Sequence, residues 1–286
     1  MKLLIIIDQE GCANVTPKQT SHLRSINMIA EFENFVHTVP HDWDIDVLDC
    51  HDNGLTLQSI KNKYPQIHFI AQIWNFNINI DYNLAILLGF HAACDIKSPF
   101  SHTFRTEIIE TQLNGANVGE VTLLVRWLQS HNIPVAFVHG EPELEEEVNK
   151  LNIPFTPNSL NPRFSINNVH QTCYHDISQV KIRLINDKLL EAFPSTIFKI
   201  KNNYLVFDNI SHYLSKLSEV SIFLNAARNY YIMYIKNLFN KIKWNYTRED
   251  INKLNDNRLN DILSNTNIFT VSIDDIKYLQ TKLKIN

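Results

Sequence analysis

The stretch Leu3-Leu4-Ile5-Ile6-Ile7-Asp8-Gln9-Glu10-Gly11 decides the fold class of this 286-residue chain. Its five aliphatic residues form a short continuous apolar run, which is typical of a strand buried on both faces. The run ends at two carboxylates and a glycine, so the buried strand stops there and a polar turn begins. We therefore predict a strand over residues 2–7 whose carboxyl end carries Asp8 and Glu10.

Further short apolar runs along the first half of the chain alternate with amphipathic segments. The runs predict strands at Asp44–Asp49, Ile67–Ile73, Leu84–Leu88 and Pro134–Val138. The amphipathic segments predict three helices. The first begins at Thr20 or Ser21, the second spans Val118–His131 and the third spans Glu143–Leu151. Strands that alternate with helices indicate an α/β fold with a mostly parallel sheet flanked by helices.

Beyond residue 155 the pattern changes to a divergent α+β half. It predicts a helix over 177–193, strands near 196–200 and 204–207, and a long helix from Asn225 to Lys241. A helix capped by Thr247, a strand at 267–272 and a short helix from Asp274 complete the predicted elements. We find no internal repeat of 20 to 50 residues.

The composition is that of an ordinary soluble globular protein, with 44% hydrophobic and 20% charged residues. The formal net charge of −4 gives no reason to expect a nucleic-acid partner. The first apolar run is too short for a signal peptide or a membrane span, so we expect a cytoplasmic protein without a membrane partner. The four cysteines lack C-x-x-C spacing, and we expect reduced thiols.

Side chains that suit a metal ion follow the apolar runs or open a helix. Ligands in an α/β sheet gather outside the carboxyl ends of the strands, so residues far apart in sequence can converge there. Carboxylates and imidazoles are side chains that Zn²⁺ prefers. The candidates are Asp8, Glu10, His51, His91, His102 and Glu120.

Each candidate also has an ordinary structural explanation. Asp8 and Glu10 share one side of an extended chain, which suits a metal but also a solvated strand end. A histidine at a strand end is often only hydrogen-bonded, and a glutamate in a first helical turn is favoured by the helix dipole. The acidic residues Glu141, Glu143 and Glu145–Glu147 are interpreted as a solvated helix face. No P-loop, G-x-G-x-x-G, G-x-S-x-G or H-E-x-x-H motif is present.

Taken in order, the motifs resemble the signature segments of the DppA-type D-aminopeptidases, which are dinuclear zinc peptidases with an α/β fold. That family's pattern is roughly D-x-E-G, D-x-H, L-G-x-H-A, S-H-S and V-G-E. The matching segments are Ile7–Gly11, Asp49–His51, Leu88–Ala92, Ser101–His102 and Val118–Glu120. Thr103 stands where the family usually has Ser, and Glu141 follows Gly140 where Gly-Asp is common.

The resemblance implies two zinc ions per chain and a role for each site residue. Asp8 would bridge both ions, Glu10 and His91 would complete one, and His51 and Glu120 the other. His102 would act on the substrate, as a nucleophile in accounts of the family and as a proton shuttle or oxyanion donor on chemical grounds. The resemblance also implies a homo-oligomer of two stacked pentameric rings.

The resemblance is good over residues 1–140, which we interpret as a metal-binding α/β core. Residues 141–241 would be a divergent second half of the same catalytic domain, and residues 242–286 a C-terminal extension. The leading hypothesis is a dizinc aminopeptidase that acts on short peptides or aminoacyl amides, with D-selectivity implied by the family. The alternatives are a biosynthetic peptide-tailoring amidase with the same centre and a non-catalytic metal-bound structural or binding protein.

Overall fold

A computed structural model describes residues 1–51, 54–70, 81–164, 169, 174–176, 178–185, 187–245, 256–264 and 273–283. The chain divides into two compact units. The first comprises Met1–Ile185 and Phe198–Glu219, and the second comprises Asn186–Ile197 and Val220–Asn286. Among the described residues, no helix has the length and apolar character needed to cross a membrane. The predicted division at residues 140 and 241 stays a prediction.

A six-stranded, fully parallel sheet forms the centre of the first unit. Its strands are β1 (Lys2–Ile7), β2 (Asp44–Asp49), β3 (Ile67–Ile70), β4 (Leu84–Phe90), β7 (Val135–Gly140) and β8 (Phe155–Pro157). They lie in the order β3-β2-β1-β4-β7-β8. This arrangement confirms the predicted parallel α/β sheet. The predicted continuation of β3 to residue 73 lies outside the described residues.

Three helices of this unit lie between strands of the parallel sheet in chain order, as the alternating pattern predicts. They are α1 (Ser21–Val36), α3 (Glu120–Ser130) and α4 (Glu145–Lys150), and a short α2 (Leu55–Gln58) follows β2. Thr20 caps α1 by accepting a hydrogen bond from Leu23 N. Leu3, Ile5 and Ile7 of β1 pack in one buried cluster with Phe32 and Phe35 of α1, so burial of these side chains stabilises the layer.

A second, antiparallel sheet in the same unit accounts for the change of pattern. Its order is β10-β11-β9-β5-β6. The strands are β5 (Ile108–Leu113), β6 (Ala116–Asn117), β9 (Val180–Leu184), β10 (Lys199–Lys201) and β11 (Tyr204–Phe207). The sheet confirms the α+β character of the second half, with Tyr204–Phe207 as predicted and the strand before it shifted to Lys199–Lys201.

The predicted helix over 177–193 is wrong. Val180–Leu184 form β9, and a short 3-10 helix follows at Asp187–Ala192. Val180, Ile182 and Leu184 are buried while Arg183 is exposed, which is the two-residue period of a strand. Helix α5 (Ile210–Ser215) completes the first unit.

The second unit is largely helical in its described part. Helix α6 spans Leu217–Asn245 and is longer at both ends than the predicted 225–241. Helices α7 (Asn257–Ser264) and α8 (Ile273–Leu283) follow, and α8 confirms the predicted final helix. A small apolar cluster joins the three helices through Leu238, Ile242, Leu259, Ile262, Leu279 and Leu283. The predicted cap at Thr247 and strand at 267–272 lie outside the described residues.

The strand order reverses between β1 and β4, and the two strands meet very closely at their carboxyl ends. Asp8 N donates to Leu88 O at 2.9 Å, and Gly11 N donates to Gly89 O at 2.8 Å. Gly89 has φ +68°, and a Cβ atom there would lie 2.3 Å from Asp8 O and 2.4 Å from Cys12 Sγ. Only glycine allows this approach, which leaves Asp8 and His91 on either side of the crevice where ligands bind in such sheets.

We predict that Gly89→Ala costs about 1–3 kcal/mol more of the free energy of unfolding than Gly115→Ala. Gly115 also has a positive φ, +83°, but no atom lies within 4 Å of a Cβ built there. Both substitutions therefore add backbone strain, and only Gly89→Ala adds overlap. Urea denaturation of the two variants measures the difference, and equal losses would contradict the role assigned to the close approach.

Candidate metal centre

All six predicted site residues meet at the carboxyl edge of the parallel sheet. Asp8 and Glu10 follow β1, His51 follows β2, and His91 and His102 follow β4. Glu120 comes from the first turn of α3. The potential ligand atoms form two groups, Asp8 with Glu10 and His51, and His91 with His102 and Glu120. Within each group these atoms lie within 4.8 Å of one another.

The first group is built on the ends of β1 and β2. His51 Nδ1 lies 3.0 Å from Glu10 Oε2 and 3.7 Å from Asp8 Oδ1. Asp49 fixes the turn that carries His51, because its carboxylate accepts from His51 N at 3.0 Å and from Leu57 N at 3.1 Å. Asp49 thus holds the backbone that carries the His51 imidazole.

The second group faces the first across Asp8. His91 Nε2 lies 3.1 Å from Glu120 Oε1 and 3.4 Å from Asp8 Oδ2. The other ring nitrogen of His91, Nδ1, lies 2.9 Å from the carbonyl oxygen of Ala92. Nδ1 therefore carries a proton and donates a hydrogen bond to that oxygen. Asp8 therefore has one oxygen toward each group, as a bridging carboxylate requires.

His102 stacks on the ring of His91, with ring centroids 3.9 Å apart and planes inclined by 14°. Its Nδ1 lies 2.7 Å from the carbonyl of Phe100 and donates to it. Its Nε2 lies 4.0 Å from Glu120 Oε1. Its side chain is 20% exposed, against 1% for His91, so His102 is the imidazole of this pair that a substrate can reach.

These distances favour a different division of the ligands from the one that the resemblance implies. Glu10 lies beside His51, and His91 lies beside Glu120. The resemblance instead groups Glu10 with His91. The structure therefore places Glu10 and His51 on one side of Asp8, and His91 and Glu120 on the other.

Burial and charge shift the pKa values of the first group in opposite directions. Burial, with the nearby charge of Glu10, raises the pKa of Asp8 to about 7. Burial also opposes the charge of Glu10, but contact with His51 outweighs it and lowers the pKa of Glu10 to about 2. Burial disfavours the charged imidazole of His51, yet the polar contacts with Asp8 and Glu10 raise its pKa to about 11.

In the second group, nearby carboxylates raise the pKa of His91 as they raise that of His51 in the first. Burial opposes its charge, but Glu120 and Asp8 raise its pKa to about 10. Without a cation, His51 and His91 are therefore protonated at neutral pH and balance the carboxylates. Because a metal binds only the neutral imidazole, it must displace these protons, and metal affinity falls as the pH is lowered.

The donor set fits a divalent cation such as zinc. Asp8 Oδ2, Glu10 Oε2 and His91 Nε2 are buried, and within the described residues no hydrogen bond of good geometry reaches them, although opposite charges lie nearby. Buried polar atoms nearly always have partners, so atoms like these commonly mark an ion. Carboxylate oxygens and imidazole nitrogens are ordinary zinc ligands.

A buried contact between an imidazole and a carboxylate supports the loop that carries Glu10. His139 Nδ1 of β7 lies 2.9 Å from Glu31 Oε1 of α1, and neither side chain is more than 2% exposed. The other carboxylate oxygen of Glu31 accepts from Ala13 N at 2.6 Å. No local sequence pattern predicts the contact between Glu31 and His139, because the two residues lie on elements that are distant in sequence.

The prediction of a solvated acidic face is wrong at two of its five positions. Glu143, Glu145 and Glu146 are exposed, as expected. Glu141 is buried and accepts from Ala92 N and from Ser98 Oγ, which fixes the loop after His91. Glu147 is partly buried and accepts from the first turn of α3. A signal for Glu147 was its spacing, since it falls on the same helical side as Leu144 and Leu151.

The described cysteines are free thiols and are not placed for reactivity. Cys12, Cys50 and Cys94 have no disulfide partner among the residues that the structure describes. Burial raises the pKa of Cys12 and Cys50 well above its usual range, with the nearby carboxylates adding to the effect. A raised pKa keeps the thiol protonated, which argues against a nucleophilic role.

The comparisons with known proteins confirm the resemblance to the D-aminopeptidases. The model of the D-aminopeptidase family matches residues 75–172, a span that contains His91, His102 and Glu120. The structure resembles the Zn-dependent D-aminopeptidase DppA from Bacillus subtilis, described as a self-compartmentalizing protease. The TM-score is 0.63 at 17% identity, and the match covers 80% of this chain and 98% of DppA. Among curated proteins, a sequence comparison finds no match.

Proposed function

We propose that this chain is a zinc-dependent aminopeptidase that hydrolyses the amide bond after a free N-terminal residue in short peptides or aminoacyl amides. The observation that carries the proposal is the convergence of six ligand-type side chains in two adjacent groups that share Asp8. The family match and the structural match support a zinc peptidase. The position at the strand-order reversal is where α/β enzymes bind their ligands.

Two zinc ions per chain fit the two ligand sets. Asp8 would contribute one oxygen to each ion, Glu10 and His51 would complete the first, and His91 and Glu120 the second. Zinc at such a centre polarises the scissile carbonyl and lowers the pKa of water that it binds. The carboxylates at the edge of the centre also suit the ammonium group of a free N-terminus.

His102 is the residue that we propose acts directly on the substrate. Burial and the nearby charge of His91 lower its pKa, so the ring is neutral at pH 7. Because Nδ1 donates to Phe100 O, the lone pair is on Nε2, which points into the site. Nε2 can accept a proton there and return it to the leaving amine.

The geometry leaves a second role for His102. It belongs to the same ligand group as His91 and Glu120, so it would be a third ligand of that set if its Nε2 were closer to an ion. Stacking on His91 and the bond to Phe100 O fix the ring with Nε2 at 4.0 Å from Glu120 Oε1. The partly exposed position favours contact with substrate over ligation.

Selectivity for an N-terminal D-residue is the finer proposal that the family match supports. The biosynthetic peptide-tailoring amidase remains the alternative, because it would use the same metal centre on a specialised substrate. A non-catalytic metal-bound protein is disfavoured, because all six site residues are present and close together.

We also propose that the chain forms a homo-oligomer. The structural relative DppA is described as a self-compartmentalizing protease, which indicates an assembly that encloses its sites. Light scattering of the full chain measures its mass. A mass equal to the 33.3 kDa of one chain, independent of concentration, would contradict the proposal.

We predict that His102→Ala keeps the zinc content and loses about 100-fold or more in turnover, because it removes a proton-transfer group and no ligand. His41→Ala is the matched control, since His41 is exposed and precedes β2 at the opposite edge of the sheet. Zinc content and kcat are measured on both variants. Loss of zinc from His102→Ala alone would make His102 a ligand.

The proposed function itself is tested with D-Ala-D-Ala, L-Ala-L-Ala and the N-acetylated form of each, in the presence of zinc. We expect cleavage of the free peptides, with the D-form preferred, and no cleavage of the acetylated forms, because they lack the N-terminal ammonium. Release of alanine is followed by chromatography. Cleavage of acetylated peptides would refute an aminopeptidase, and failure to cleave any of the four with zinc bound would favour the tailoring amidase.

A further inference from the structure

Helix α3, which carries Glu120, begins at a residue that cannot cap it. The N-cap position is Gly119, which has no side chain to accept from the free N–H groups of the first turn. Ser, Thr, Asp or Asn usually supplies that acceptor. The first turn of α3 therefore needs an acceptor from elsewhere in the fold.

Glu147 of helix α4 supplies this acceptor across 28 residues of sequence. Its Oε1 lies 3.0 Å from Gly119 N, 2.9 Å from Thr122 N and 2.6 Å from Thr122 Oγ1, and it accepts from all three. Three donors on one oxygen indicate a carboxylate rather than an amide or a hydroxyl at this place. The donors flank Glu120 on both sides in sequence.

The glycine before Glu120 is what lets this carboxylate approach. A Cβ atom on residue 119 would lie 2.5 Å from Glu147 Oε2 and 3.0 Å from Ala93 Cβ. Any side chain at that position would therefore push the carboxylate away from the helix. Glycine at position 119 thus allows the Glu147 carboxylate to reach the helical turn that carries Glu120.

The position of Glu120 depends on this first turn. Its Oε1 accepts from Phe104 N at 2.6 Å and lies 3.1 Å from His91 Nε2, while the side chain is 4% exposed. A shift of the turn would move the carboxylate away from His91, and the surrounding buried residues leave little room to compensate. Burial of a second carboxylate beside Glu120 is itself unfavourable, so Glu147 is not a residue that packing alone selects.

We propose that Glu147 is a positioning residue of the metal centre, which holds the first turn of α3 so that Glu120 meets His91. The inference rests on the proposed zinc centre. It assigns to Glu147 an effect on one of the two ions, because Glu120 is grouped with His91 and not with Glu10 and His51.

The test compares zinc affinities of Glu147→Ala, Glu147→Gln and Glu146→Ala in the full chain, by competition with a chromogenic chelator. Glu147→Ala is expected to weaken one ion by about 10- to 100-fold and to leave the other unchanged, as loss of a ligand's supporting partner does. Glu147→Gln keeps an acceptor oxygen and is expected to lose less. Glu146 is the neighbouring exposed glutamate, paired with Lys150 at 2.9 Å, so Glu146→Ala is expected to change neither affinity.

Equal weakening of both ions, no weakening, or the same loss in the Gln and Ala variants would overturn the proposal. If Glu147→Ala does not fold, Gly119→Ala decides the same question, because it displaces the carboxylate and removes no acceptor. A loss at one ion in that variant supports the role of Glu147, and an unchanged or uniform affinity overturns it.

Hydrogen exchange of the metal-free protein separates this inference from the proposed function. Faster exchange of the amides of residues 119–123 in Glu147→Ala than in Glu146→Ala is expected, because the first turn loses its acceptor. Failure of the wild type to bind zinc would refute the proposed function. Exchange of these amides in metal-free Glu147→Ala that is no faster than in Glu146→Ala would refute the capping by Glu147.

Discussion

The close junction of β1 and β4 is the constraint on which the rest of the site depends. Two backbone hydrogen bonds join the ends of these strands, and Gly89 brings the β4 backbone against Asp8 O. The strand order reverses here, and sheets of this type bind their ligands in the crevice at such a reversal. Asp8 and His91 stand on its two sides, so a carboxylate can face two groups of ligands at once.

Such a crevice concentrates negative charge that the fold must stabilise. Asp8 and Glu120 are both buried, which disfavours their ionisation. Burial raises the pKa of Asp8, whereas at Glu120 the nearby charge of His91 outweighs burial and lowers the pKa. The imidazoles of His51 and His91 offset this charge when no cation is bound, and a divalent cation offsets it when the ions are bound. Around this centre three other buried acids accept hydrogen bonds from backbone N–H groups: Asp49 accepts from His51 and Leu57, Glu31 from Ala13, and Glu141 from Ala92. The acids at the centre thus keep oxygens for ligation, while the outer acids fix the loops.

Much of the parallel sheet and the six residues of the candidate site could be predicted from sequence, because both show in local patterns. The proximity of Glu10 to His51 and of His91 to Glu120 could not. The aliphatic runs before Asp8 and His91 identify buried strands, and the polar residue after each run marks the strand end. The residues that support the site could not be predicted in this way. Glu147 accepts from a turn 28 residues earlier in the chain, and Glu31 of α1 contacts His139 of β7. No short stretch of sequence contains both partners of either contact. The strand at Val180–Leu184 was missed although its alternation was visible, because its partner in the second sheet, Ile108–Leu113, was not predicted either.

The shared role of Asp8 is tested most directly by the zinc content per chain. It is measured by elemental analysis of the wild type, Asp8→Ala and Glu120→Ala after zinc reconstitution. The shared position of Asp8 predicts about two ions for the wild type, about one for Glu120→Ala, and almost none for Asp8→Ala. One ion or fewer in the wild type would contradict the two-ion centre. An Asp8→Ala variant that retains as much zinc as Glu120→Ala would contradict the bridging role on which the account rests.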